Sequence, residues 1–215
     1  MRQNSPQQLS RSRGKWDPSG VLLDDAVIEQ PMDFRAMFGN DRPVEIEIGS
    51  GKGTFLLARA PGREDLNFLG IEYARSYAVY TADRIRRRGL GNVRMLAADA
   101  VPFIRECVPD ESVWRVHIYF PDPWPKRRHH RRRSIQRPFV EQLTRVLRPG
   151  GQLLVVTDHL GYFEQIRRVL TDAPRLASIP FPSMSAEDGE IVGTNFERKY
   201  IAQGRAFYQT ARLRY

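Results

Sequence analysis

From Val44 onward, short β-branched runs alternate with amphipathic stretches of ten or more residues, the pattern that βαβ units leave around a parallel sheet. Strands are predicted near residues 44–48, 67–71, 93–96, 115–119 and 152–157, with helices between them. The clearest helix begins after Ser134, where Phe139, Leu143, Val146 and Leu147 recur at helical spacing until Pro149, Gly150 and Gly151 stop it. A second carries Phe163, Ile166 and Leu170 on one face. Residues 205–215 alternate loosely and read as a final antiparallel strand, preceded by a short helix after Thr194, whereas 180–193 read as a loop. The fold class is therefore α/β, a doubly wound and mostly parallel sheet with helices on both faces.

A chain of 215 residues is long enough for one domain with a full core. The division expected is a basic, flexible arm over residues 1–30 and a single domain over 31–215. Apolar runs such as 153–156 are far short of the ~20 residues that span a bilayer, so no membrane association is expected. The first twenty residues lack the apolar stretch of a secretory signal, and the lone Cys107 excludes an internal disulfide; both fit a cytoplasmic protein. Lys and Arg number 34 against 25 Asp and Glu, a formal charge of +9, which points to a polyanionic partner.

Val44-Glu45-Ile46-Glu47-Ile48 runs into Gly49-Ser50-Gly51-Lys52-Gly53, a strand entering a glycine-rich turn that opens a helix. A phosphate-cradling P-loop needs glycine where Ile46 stands and Ser or Thr where Gly53 stands, so that reading fails. The dinucleotide fingerprint needs glycine at Thr54, and acidic Glu47 would repel a pyrophosphate. S-adenosyl-L-methionine carries a sulfonium and an ammonium and no phosphate, so Glu47, with Gly49 and Gly51, suits it. A turn that only packs a helix on the sheet is the alternative. Glu72 and Asp99 follow the next two strands, where a doubly wound sheet delivers them to the same crevice. Glu72 is placed to accept from ribose hydroxyls and Asp99 from an adenine amino group, although either acid can equally be a helix cap.

After the fourth strand comes Phe120-Pro121-Asp122-Pro123-Trp124-Pro125-Lys126, in which prolines on both sides of Asp122 restrict its backbone and hold a carboxylate beside an aromatic ring. Arg127 to Arg133, with His129 and His130 inside the run, follow directly, so positive charge adjoins this loop and can bind phosphates. Thr157-Asp158 ends the fifth strand, where the acid either faces the crevice or caps the next helix. Thr194 and Glu197 read as a capping box.

These residues resemble the bacterial tRNA (guanine-N7-)-methyltransferases. The resemblance rests on Glu47 with its glycine turn, on the block from Phe120 through Arg133, on Thr157-Asp158 and on Thr194-Asn195-Phe196-Glu197, and it covers residues 44–215. It implies a seven-stranded Rossmann-like methyltransferase sheet with an antiparallel last strand. It implies cofactor contact by Glu47, Glu72, Asp99 and Asp122, with Asp122 catalytic. It further implies tRNA contact by Lys126, Arg128, His129, His130, Arg131, Arg132, Arg133, Asp158, Thr194, Asn195, Phe196 and Glu197. Arg11, Arg13, Gly14 and Lys15 match the family's basic leader loosely. The expected reaction is methylation of N7 of a guanosine in the variable loop of tRNA, with no metal and no stable protein partner. The alternatives are methylation of another RNA or DNA nitrogen, or a non-catalytic RNA-binding module on the same fold.

Overall fold

The computed structural model describes residues 16–24, 31–184 and 190–215. Seven strands, β1 (Val44–Ile48), β2 (Asn67–Glu72), β3 (Val93–Ala97), β4 (Val113–Tyr119), β5 (Leu147–Thr157), β6 (Leu176–Ile179) and β7 (Tyr208–Arg214), form one sheet in the order β3-β2-β1-β4-β5-β7-β6. Pairing is parallel from β3 through β5, and β7 runs antiparallel to both β5 and β6. The chain order reverses between β1 and β4, and in open α/β sheets ligands bind beyond the carboxyl ends of the strands at that switch.

Strand residues alternate between two cores. Ile46, Leu69, Val116, Ile118, Leu153 and Val155 meet α1 (Phe34–Phe38), α4 (Ala100–Glu106), α5 (Arg137–Val146) and α6 (Leu160–Thr171) on one face. Phe68, Tyr119, Leu154 and Val156 meet α2 (Thr54–Arg59) and α3 (Arg75–Arg87) on the other. The last helix, α7 (Asn195–Ile201), precedes β7. Most of these side chains are fully buried, each worth ~1.5–3 kcal/mol over exposure. On α6 the buried stripe is Tyr162, Ile166 and Leu170, with the expected Phe163 at its border. Cys107 is buried at the end of α4.

Two boundaries differ from the sequence reading. Leu147, expected to close a helix, is instead the first residue of β5 and pairs with Val113. Its burial is complete, and an apolar pattern cannot separate the last buried helix position from the first buried strand position. Pro149, Gly150 and Gly151 then lie inside β5 at a register shift, where Gly150 has φ 79° and a Cβ on Gly151 would stand 2.8 Å from Arg148 O. Part of the expected arm is folded: Leu22 bridges to Met95, Val21 is buried, and Trp16 packs edge-on against Tyr80 at 5.0 Å. This segment covers the edge of β3, which would otherwise offer unpaired backbone groups. The rest of the arm, residues 1–15 with Arg11, Arg13, Gly14 and Lys15, and residues 25–30, lie outside the described residues.

Candidate active site

The turn after β1 separates its glycines by role. Gly49 (φ 81°) and Gly51 (φ 51°) take left-handed conformations, and a Cβ on either would meet nothing within 4 Å. Gly53 (φ 68°) packs the turn instead, since its Cβ would fall 2.2 Å from Thr81 Cγ2. Thr81 also donates its hydroxyl to Gly51 O at 2.8 Å. Two glycines thus leave open space and the third serves packing.

Glu47 is 4% exposed, and its Oε2 is buried with no hydrogen-bond partner. Burial pushes its carboxyl up to about 8; the Ser50 hydroxyl opposes this and the charge of nearby Glu72 adds to it. Glu72 ties the crevice together, accepting from Gly51 N at 2.8 Å with one oxygen and from Ala74 N at 2.9 Å with the other. Asp99 sits one strand further out, exposed, and caps α4 by accepting from Val101 N at 3.0 Å. The cap expected as an alternative is therefore formed at Asp99, and it engages only one of the two oxygens. A buried carboxyl with one oxygen left unpartnered, beside two open glycines, fits a ligand that brings positive charge and no phosphate.

Beyond β4 the chain is strained on both sides of Asp122. Phe120 and Trp124 have φ of 52° and 42°, a region that costs ~1–3 kcal/mol for a bulky residue and persists only where its surroundings enforce it. Phe120 N donates to Val156 O at 2.7 Å, and its ring packs against Tyr200 and Phe207 at 5.8 and 5.6 Å. Asp122 is exposed and makes no side-chain hydrogen bond among the described residues. After burial, its charge helps raise the phenols of Tyr162 and Tyr200. The loop thus presents a carboxylate without committing it.

The basic run folds as a 3-10 turn, Arg127–Arg132. Lys126, Arg127, Arg128, Arg131 and Arg132 are exposed, and His129 and His130 are half-buried. Arg132 lies over Trp124 at 4.9 Å, and His129 meets the same ring edge-on at 5.9 Å. Exposed cations and the strained loop form one continuous surface.

Residues 41–210 match the family model described as "Putative methyltransferase". Over 205 residues the chain is 37% identical to the tRNA (guanine-N(7)-)-methyltransferase of Rhodopirellula baltica, covering 89% of this chain and 76% of that protein. It is 38% identical over 191 residues to the enzyme of the same name from Pseudomonas paraeruginosa, covering 86% and 74%. The chain belongs to the tRNA (guanine-N(7)-)-methyltransferase family. Its fold also matches a SAM-dependent methyltransferase from Aquifex aeolicus, at TM-score 0.54 and 17% identity over 84% of this chain and 87% of that one. A 30S ribosomal methyltransferase from an uncultured bacterium gives TM-score 0.60 at 14% identity over 86% and 96%.

Not every residue implied by the family resemblance is free to touch a substrate. Arg133 is 3% exposed and faces inward. Its Nε donates to Pro123 O at 2.8 Å, its Nη1 to Gln165 Oε1 at 2.7 Å, and its guanidinium covers the Tyr162 ring at 4.7 Å. The end of the 3-10 turn rotates it away from its neighbours, so it clamps the Asp122 loop onto α6 rather than meeting phosphate. Glu197 is likewise buried: its carboxylate accepts from the backbone of Ile191, from Val192 N at 2.9 Å and from Gly193 N at 2.8 Å. Of the capping box, Thr194 Oγ1 accepts from Glu197 N at 3.1 Å, while the glutamate half is redirected to the preceding loop. Asn195 and Phe196 remain exposed on α7.

The alternative at Asp158 is resolved by its neighbour. His159 Nδ1 caps α6, accepting from Tyr162 N at 3.1 Å, and Asp158 pairs with Arg205 Nη1 at 2.8 Å. Arg205 also lies over the Tyr200 ring at 4.4 Å. No local motif marked Arg205 in the sequence, because its partner is supplied by a distant strand end. Tyr73, directly after Glu72, is 80% exposed.

Proposed function

We propose that this chain methylates N7 of a guanosine in the variable loop of tRNA, using S-adenosyl-L-methionine, and that it does so in the cytoplasm. The observation that carries this reading is Glu47, whose buried carboxyl leaves Oε2 unpartnered at the glycine turn on β1, with the strained Asp122 loop following the neighbouring β4 and leading into exposed cations. Membership of the family supports the reaction type and the tRNA partner. When bound, the cofactor supplies a methyl group on a cationic sulfonium. Glu47 meets the positive charge of that ligand, Gly49 and Gly51 give it room, and Glu72 and Asp99 accept from its hydroxyl and amino groups.

Guanine N7 has an in-plane lone pair and no proton, so the chain need not supply a general base. Positioning is its main task, and orienting two reactants can contribute on the order of 7 to 11 kcal/mol. Asp122 accepts hydrogen bonds from the bound guanine and offsets the positive charge that develops on the ring, while Trp124 stacks. Lys126, Arg127, Arg128, Arg131 and Arg132 hold phosphates and help offset the few kcal/mol needed to unstack the target base. The test is incubation of an unmodified tRNA transcript with S-adenosyl-L-methionine, followed by nucleoside mass spectrometry. Formation of 7-methylguanosine, lost in Asp122→Ala, is expected; a different methylated nucleoside, or none, would overturn the reading.

A further inference from the structure

A cavity of about 500 Å³ opens between α6 and the β6–β7 pair, apart from the Asp122 loop. Phe163, Arg167 and Thr171, spaced four residues apart on α6, form one wall; Ser178, Phe181 and Arg212 belong to the opposite side. Two arginines therefore line it, and among the described residues no carboxylate does.

Arg212 is 6% exposed, its Nε is buried without a partner, and its one side-chain hydrogen bond among the described residues is a long 3.4 Å contact from Nη2 to Thr171 Oγ1. Arg214, two residues on, is equally buried and its Nε likewise lacks a partner, but its Nη2 pairs with Glu111 at 2.6 Å and its Nη1 donates to Leu147 O. Among the described residues one buried guanidinium thus has its counter-ion and the other does not, although burying an uncompensated charge costs several kcal/mol. Burial lowers the Arg212 pKa, and the positive charge of Arg167 adds to that effect. The second cation makes the missing anion more conspicuous.

We infer that this cavity is an oxyanion site that takes the phosphate of a nucleotide between Arg167 and Arg212. The Thr171 and Ser178 hydroxyls are available to the same oxygens, and Phe163 and Phe181 offer apolar rings to the attached base. Guanidinium forks suit phosphate geometry, and the volume is within the range of small-ligand sites. Phe163 also stacks on Tyr208 at 5.3 Å, and Tyr208 pairs with Thr157 beside Asp158, so one end of the cavity approaches the crevice. The phosphate comes either from the RNA substrate or from a free nucleotide. The RNA source rests on the methyltransferase reading; the anion site does not.

The experiment titrates 5′-AMP, inorganic phosphate and unmodified tRNA transcript separately into full-length protein and into Arg167→Ala, with Arg212→Met as second variant. Arg167 is exposed, so its truncation leaves the fold intact. An RNA source predicts that Arg167→Ala weakens tRNA binding about tenfold and lowers its salt slope by about one. A free-nucleotide source predicts that 5′-AMP and phosphate bind wild type and lose about tenfold in the variant, with tRNA unchanged. Either result supports the site. Unchanged binding of all three probes in Arg167→Ala would overturn it, whether or not Arg212→Met folds. Affinity for S-adenosyl-L-methionine and methylation at saturating tRNA should be unaffected in Arg167→Ala; their absence in wild type would strike the proposed function and leave the anion site standing.

Discussion

Glu45 and Glu47 stand two residues apart on β1, point to the same side of the sheet and are both buried, yet their surroundings differ entirely. Glu45 accepts from Arg115 Nη1 at 2.9 Å and His117 Nε2 at 3.0 Å, with Arg59 Nε at 3.6 Å. Burial pushes its carboxyl up, but His117, Arg115 and Arg59 outweigh that and hold it at about 2. His117, its own pKa lowered by burial, donates from Nε2 to Glu45, which leaves Nδ1 to accept from the Tyr119 hydroxyl at 2.7 Å. Glu47 has no such company and is pushed up to about 8. Glu45, which serves the fold, is surrounded by cations; Glu47, which we propose meets the ligand, is not.

The sharpest break of this contrast is Glu45→Ala, which strands Arg115 and Arg59. Removing one partner of a buried charge pair costs ~3–5 kcal/mol, so the urea midpoint should fall steeply; a loss below about 1 kcal/mol, the level of a surface pair, would remove the structural role of Glu45. The smaller change is Glu47→Gln. It should weaken S-adenosyl-L-methionine binding by about 1.5–3 kcal/mol, roughly ten- to a hundredfold, as for a lost charged hydrogen bond.

The two acids also predict opposite pH limbs. Glu45 ionises more readily folded than unfolded, so its contribution is present above about 4.5 and is lost as pH falls toward 2. Glu47 holds its proton more tightly folded, so stability declines as pH rises from about 4.5 to about 8. Urea titrations of Glu47→Gln should lack that decline. A parallel decline in the variant would assign it to another group.

The smallest effects separate the two ends of the basic run. Arg131→Gln should lower tRNA affinity and reduce the salt slope by about one. Arg133→Gln should leave the slope unchanged and lower kcat by loosening the Asp122 loop. Equal slopes in the two variants would mean that burial of Arg133 does not decide its role.

Five of the seven strands were legible near their observed places as short apolar or β-branched runs, and the last strand as an alternating tail. Leu176–Ile179 was not, because a four-residue edge strand gives too few positions for a pattern. The positions of Glu47 and Glu72 at the ends of β1 and β2, of Asp99 just after β3, and of the exposed part of the basic run were legible in the sequence. What distinguishes Glu45 from Glu47 was not, since Arg59, Arg115 and His117 come from other elements and the alternation of Val44-Glu45-Ile46-Glu47-Ile48 treats both acids alike. Arg133 and Glu197 failed for the same reason: composition reports charge, and only the fold decides which charges turn inward.

Calorimetric titration of S-adenosyl-L-methionine into the protein at pH 7, in buffers of different ionisation enthalpy, tests the central claim most directly. A cationic ligand meeting a protonated Glu47 must displace its proton, so wild type should release about one proton per ligand bound and Glu47→Gln about none. Binding without proton release in wild type, or equal release in both proteins, would contradict the assignment of Glu47 to the cofactor.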